Sequence, residues 1–309
     1  MPGTELLDKF PQEIQRKKAQ YLSTADLLKL SIASTKYRAL YKPMADVRKL
    51  LGHIVRGEHD AVRTILNNDV SLMFKKDRIT DCSGRTFEHI SAFEYALWAL
   101  DKHMWTMMLH CIPQNEEGKA VLAKLLSQYE KVITEGVTYR FHEETITEKH
   151  FDFANTIIKE LQTQVDSTNV PGIKNWDAIN KQWREGVGGA QKLLPMHVVY
   201  EYCSDKPFYP VPHFTSQPKS SKQFYNWLTR KHENWFSSNS KLGVDFAILK
   251  GLDSRQPAQG SRSVPYGRAL LDLAAMRALY EIRTIDFINL KSQLEEQMTV
   301  DNQRQTFQI

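Results

Sequence analysis

The feature that most limits the fold is a helical-hairpin pattern that returns after about thirty residues. From Val47 onward, Leu50, Leu51, Ile54 and Val55 fall on one helical face, Gly57 interrupts, and Val62, Ile65 and Leu66 form a second face. Further on, Gly84-Arg-Thr-Phe87 leads into Ile90, Phe93, Ala96, Leu97 and Leu100, and past Asp101-Lys-His103 come Trp105, Met108 and Leu109. A pair of short helices cannot bury its apolar side alone, so each hairpin must be packed between neighbours. Three short helices are predicted ahead of the first hairpin. Pro11 suits a first helical turn, Ser23 or Thr24 with Asp26 marks a new start, and Pro43 is expected to end the third helix before Asp46 opens the next. The predicted fold class is mainly α.

Beyond Pro113 the repetition fades, and helix remains the reading. Residues 117–135 carry Val121, Leu125, Leu126, Tyr129 and Val132 on one face, and residues 147–165 carry Phe151, Ala154, Ile157, Ile158 and Leu161. Asp166 to Pro171 reads as a joint, because Asp-Ser-Thr-Asn precedes a Pro-Gly turn. The region after it contains Trp176, Trp183, Trp227 and Trp235, a proline-rich stretch at 206–212, and an expected exposed loop over 253–267 with Pro257, Gly260, Pro265 and Gly267. Two closing helices are predicted, one from Ala269 to about Tyr280 and one from about Thr284 to Gln297.

Charge adds one asymmetry. Residues 1–52 hold ten Lys or Arg and five Asp or Glu, so this segment alone equals the net charge of +5 of the whole chain. Arg16, Lys17 and Lys18 are adjacent and form a basic patch, either a solvated helix face or a contact for an acidic partner or anionic lipid. A hydrophobic content of 41% is enough for a sizeable core, yet no run of about eighteen apolar residues suggests a membrane span. Met1 to Lys9 lacks the layout of a secretory signal, so Sec export is not expected. Cys82, Cys111 and Cys203 are scattered and suit reduced thiols in a cytosol-like compartment.

Chemistry finds few footholds. Gly186-Val-Gly-Gly-Ala190 lacks the Lys-Ser/Thr ending of a phosphate loop and reads as a helix entry. His103, His110 and Cys111 raise the question of a metal, but no third and fourth ligand of recognisable spacing joins the pair His103 and His110, so neither metal nor cofactor is expected. No catalytic residue stands out; His197, Cys203 and His213 are the candidates for an enzyme built on a thiol and a base, although six residues place His197 and Cys203 on different faces of a helix. Lys222 to Phe236 reads as a helix with Phe224, Trp227, Leu228, Trp235 and Lys231 on one face, either a core helix with a snorkelling Lys, a membrane-surface helix or one that presents aromatics to a nucleic acid.

Phe10-Pro-Gln-Glu-Ile14, Tyr21-Leu22, Asp26-Leu-Leu28, Leu30-Ser-Ile-Ala-Ser34 and Tyr37-Arg-Ala-Leu40 together resemble an F-box, and the two hairpins resemble degenerate ankyrin repeats. As a whole the chain is similar to effector proteins that Legionella-type bacteria inject into host cells, with Glu295-Glu296, Phe307 and Ile309 similar to a type IV export signal. The resemblance implies an F-box-like module at 1–45, ankyrin-like repeats at 46–112, a helical extension at 113–166, a Trp-rich, mostly helical region at 167–297 and a flexible tail at 298–309. It further implies a secreted adaptor in the host cytoplasm that binds host protein and contacts Skp1 through Phe10, Pro11, Ile14, Leu22 and Leu27. The chain departs from the F-box pattern at Lys18, where the family has an apolar residue, and at Phe10, where it has Leu. Nucleic acid is not an expected partner. A host-modifying enzyme with a cleft in 167–297, and a membrane or phosphoinositide docking protein, are the competing readings.

Overall fold

The structure, a computed structural model, describes residues 9–251, 258–264 and 267–299. The expected tail with Phe307 and Ile309, and Pro257 and Pro265 of the expected loop, lie outside the described residues. The chain divides into two compact units, the first containing residues up to Trp98, Met104–Lys149 and the segment from Leu294, the second Ala99–His103 and His150–Gln293. The architecture is mostly helical but not all-α, because each unit contains a four-stranded sheet.

The first unit opens with α1 (Gln12–Ala19), α2 (Thr24–Ala33) and α3 (Thr35–Val55). Ser23 caps α2 by accepting the Asp26 N–H at 3.1 Å, and Ser34 caps α3 by accepting that of Tyr37 at 3.1 Å. Pro43 does not end the third helix. It sits inside α3, and the apolar stripe Leu40, Tyr41, Ala45, Leu50, Leu51 and Ile54, all buried, offsets the roughly 3 kcal/mol that an interior proline costs. The three helices enclose a small core of Ala19, Leu27, Tyr37, Leu40, Tyr41 and Ala45.

The first predicted hairpin is present: α3 turns at Gly57, whose φ of +63° suits glycine, into α4 (His59–Asn68). The second pair of helices also exists, α5 (Ala92–Trp98) and α6 (Lys102–His110), but it is not a repeat of the first. Residues 76–91 instead form β1 (Lys76–Thr80) and β2 (Thr86–Ser91), and Gly84 at φ +96° belongs to the turn between them. After α7 (Glu116–Glu135), capped by Asn115, come β3 (Val137–Phe141) and β4 (Glu144–Glu148) where only helix was expected. The sheet is an antiparallel meander in the order β1-β2-β3-β4.

The second unit begins with a π-helical turn at Ala154–Ile158 that continues as α8 (Lys159–Asn169). Next are α9 (Trp176–Lys181), a further π-helical segment Gln182–Val187, and α10 (Gly188–Gln191). The glycines of 186–190 therefore lie within continuous helix and form no entry loop. Gly188 is there for contact, since a Cβ would stand 2.7 Å from the Phe246 carbonyl oxygen. After α11 (Met196–Cys203), β5 (Gln223–Asn226), β6 (Lys231–Asn234), β7 (Ala247–Leu249) and β8 (Gln259–Ser261) make a mixed sheet in the order β6-β5-β8-β7. The predicted helix over 222–236 is thus a β-hairpin. Residues 268–299 form one helix, α12 (Arg268–Thr299), where two were expected; Arg283, completely buried, continues the helix at the expected break.

Candidate functional site

The helix α2 carries apolar residues on two sides. Leu27 is fully buried and Leu30 packs on the same small core, whereas Leu28 and Ile32, four residues apart and so on one face, point outward. Ile32 is 82% exposed, and Tyr21 in the turn before α2 is 73% exposed. Ile14 on α1 is exposed too. A helix that is apolar on a side with nothing packed against it presents that side to a partner more economically than to water.

The five residues expected to contact Skp1 fall in different environments. Pro11 and Ile14 are exposed as a docking role requires, but Leu27 lies wholly inside the core and Leu22 packs partly on it, so these two shape the module rather than touch a partner. Tyr21, Leu28 and Ile32 are the exposed apolar residues beside them. Lys18 does not intrude on the core: it is exposed, and its ammonium lies 3.9 Å from the ring centroid of Phe10, a cation–π contact that half covers that ring. Arg16, Lys17 and Lys18 occupy the last turn of α1, where cations also complement the negative end of the helix dipole. The module is tied to the sheet by buried Arg48, whose Nε meets Asp77 at 3.0 Å and whose other nitrogens donate to the carbonyls of Gln20 and Leu22.

The first sheet holds a cleft of 520 Å³. A β-bulge lies beside it: Asp77 pairs with Ile90 and Ile79 with Phe87, so Glu88 and His89 together face Arg78 alone. The register between β2 and β3 consists of the single pair Thr86–Arg140, and the cleft opens beside it, along Thr86–Ile90 on one side and Gly136–Arg140 on the other. Its charges are matched. Lys76 pairs with Glu94, Arg140 with Glu88 at 2.7 Å, and Lys131 with Glu135 at 3.6 Å. Such a cleft offers two strand edges rather than an ion-binding charge.

In the second unit the enzyme candidates do not assemble. His197 and Cys203 occupy opposite ends of α11, about 9 Å apart along its axis. His197 is buried with Nε2 2.7 Å from the Ala99 carbonyl oxygen, and burial pushes the Cys203 thiol up to about 12, against thiolate chemistry. His213 is exposed in the irregular segment after α11. His103, considered for metal binding, lies 2.9 Å from Arg283, and the Cys111 thiol donates to the Met107 carbonyl at 3.4 Å. No group of three His, Cys, Asp or Glu suited to a metal occurs among the described residues.

What the second unit does gather is a polar lock that no sequence pattern announced. Buried Lys250 donates to the carbonyls of Glu201, Tyr202 and Ser204 and to the Ser204 hydroxyl, closing the C-terminus of α11. Asp272 on α12, fully buried, accepts the backbone N–H groups of Lys250 at 3.2 Å and Gly251 at 2.9 Å. Burial draws Lys250 down to about 8 and raises Asp272 to about 7, and it raises the neighbouring Glu201 to about 7 as well.

Residues 156–294 match the family model described as the CBUA0006 C-terminal domain, which falls almost entirely within the second unit. The uncharacterized protein CBUA0006 of Coxiella burnetii (strain RSA 493 / Nine Mile phase I) is 38% identical over 262 residues, covering 78% of this chain and 73% of that protein. The chain belongs to the CBUA0006 family. No solved structure matches it. Membership in the CBUA0006 family extends the likeness beyond the C-terminal domain, because 78% of the chain exceeds the span of that domain. Among the described residues, no helix is long and apolar enough to cross a membrane.

Proposed function

We propose that this chain is a protein–protein interaction adaptor, a secreted effector whose N-terminal F-box-like module docks on a Skp1-type scaffold and so links a host target to a ubiquitin ligase. The observation that carries the reading is α2: one side builds the module's core through Leu27, while Leu28 and Ile32 stand exposed and outside that core among the described residues. Burying an exposed Leu or Ile contributes about 1.5–3 kcal/mol, so this pair with Tyr21 and Ile14 is enough to anchor a micromolar complex after the cost of association. An adaptor needs a second contact, and the bulged cleft of the first sheet suits an extended target segment, which would add its backbone to the free lengths of β2 and β3. Delivery into host cytoplasm by a type IV system is part of the same proposal, supported by the resemblance of the chain to such effectors and by a family relative that is bacterial.

The test is binding of purified Skp1 to the full chain by calorimetry. Wild type is expected to bind at micromolar concentrations, and Leu28→Asp with Ile32→Asp is expected to abolish binding while the melting curve stays unchanged. Equal binding by both proteins would remove the α2 face from the account. A translocation reporter fused to the chain tests delivery separately, a signal in host cells that requires the secretion system being the expected result.

A further inference from the structure

The second sheet ends in a hairpin tip that neither the core nor the adaptor reading uses. β5 and β6 pair from Gln223–Asn234 up to Asn226–Lys231, and the loop Trp227-Leu-Thr-Arg230 projects beyond the last pair. Trp227 is 53% and Leu228 38% exposed, and Arg230, Lys231 and His232 are exposed beside them. The tip is built rather than loose. The Asn226 carbonyl accepts the Arg230 N–H at 2.7 Å, and the Asn226 side chain accepts that of Leu228 at 2.9 Å. Trp227 donates its indole N–H to Gln259 at 3.0 Å, and Tyr225 meets its ring edge-on at 5.0 Å.

The charge pattern is one-sided. Glu233, the hairpin's acid, accepts from the Asn226 amide at 3.1 Å and the Thr229 hydroxyl at 2.5 Å, so its carboxylate serves the turn. Neither Arg230 nor Lys231 has an ion pair among the described residues. Arg230 also holds a left-handed backbone at φ +56°, which glycine would adopt at less cost. An aromatic and a branched aliphatic side chain are thus partly exposed at the tip, beside two cations that have no ion pair among the described residues. That combination fits the boundary of an anionic bilayer, where the indole and leucine enter the acyl edge and the cations meet negative headgroups.

We propose that the Trp227–Lys231 tip docks the second unit onto anionic lipid surfaces, independently of the N-terminal module. A nucleic acid would use the indole and the cations but has no place for Leu228, which favours lipid over that alternative.

The experiment is co-sedimentation of the full chain with vesicles of phosphatidylcholine alone or mixed with phosphatidylserine. Binding is expected only to the mixed vesicles and to weaken with salt. Arg230→Gly with Lys231→Gln keeps the turn, relieves the strained φ, and is expected to weaken binding about 25-fold, since each cation at the surface contributes about fivefold. Trp227→Ser with Leu228→Ser is expected to abolish what remains at low salt. Circular dichroism should show both variants folded. Equal binding to both vesicle types, equal binding by wild type and variants, or capture by a single-stranded oligonucleotide without vesicle binding would each overturn the proposal.

Discussion

In the first unit the buried cation that joins elements is Arg48, which faces the carboxylate of Asp77 at 3.0 Å as well as two backbone carbonyls. In the second unit a counterpart is Lys250, whose ammonium donates to carbonyl and hydroxyl oxygens, while the nearby Asp272 accepts from backbone N–H groups. Both cations satisfy groups that would otherwise be stranded. The difference is that Lys250 and Asp272 sit in separate hydrogen-bond sets, and burial then pulls each toward its neutral form. The outer surfaces differ as well. The first unit exposes Leu28 and Ile32 on a helix, and the second exposes Trp227 and Leu228 among cations on a hairpin.

Removing the cations should break this comparison most severely. Lys250→Met and Arg48→Met are each expected to lower unfolding free energy by about 3–5 kcal/mol, because the oxygens left behind are buried without donors. Denaturant titration at two pH values sharpens the contrast: the Lys250→Met loss grows at high pH, where the wild-type contribution of Lys250 is complete and the variant has none, and the Arg48→Met loss does not. Within α2, Leu27→Ala should cost about 3 kcal/mol, since it opens a cavity in the small core.

A smaller effect comes from pH alone. Asp272 and Glu201 have folded pKa values raised to about 7, so the stability they contribute is complete in acid and lost as pH rises through 7. Lys250 is lowered to about 8, so its contribution is complete at high pH and lost as pH falls through 8. The second unit should therefore be least stable between these values. Moving from about pH 7.5 to about pH 5.5 is expected to raise its unfolding free energy by on the order of 2 kcal/mol for each of these two carboxylates, read as a higher melting temperature. Lys250→Met leaves the acid limb and removes the alkaline one. The smallest change is Ile32→Ala, which should stay within about 0.5 kcal/mol of wild type because the side chain is already in water.

Helix starts were legible because local chemistry fixes them: Ser23 with Asp26 and the hydrophobic run after Asn115 act within one turn. Strands were harder to read for two different reasons. In Lys76-Asp-Arg-Ile-Thr80 charged residues mask the pattern, and the bulge at Glu88–His89 breaks the period in β2. Val137-Thr-Tyr-Arg-Phe141 and Glu144-Thr-Ile-Thr-Glu148, by contrast, do alternate with β-branched and aromatic residues, a signal that the helical reading of the surroundings overrode. At 222–236 the aromatic spacing fits a helix as well as a hairpin, and pairing with β8, more than thirty residues along, decides it.

The candidate site was half visible. The F-box-like run drew attention to α1 and α2, and the spacing of Leu28 and Ile32 beside buried Leu27 could have shown a helix apolar on both sides. The Lys250 lock carries no such signal, because its acceptors at 201–204 come from a helix nearly fifty residues earlier and are mostly backbone.

The adaptor account rests on the α2 face, and a calorimetric comparison of Skp1 binding by the wild-type chain and by Leu28→Asp with Ile32→Asp tests it most directly. A micromolar wild-type complex that disappears in a folded variant is the predicted result; no Skp1 binding by the wild type, or the same affinity in both proteins, would contradict it.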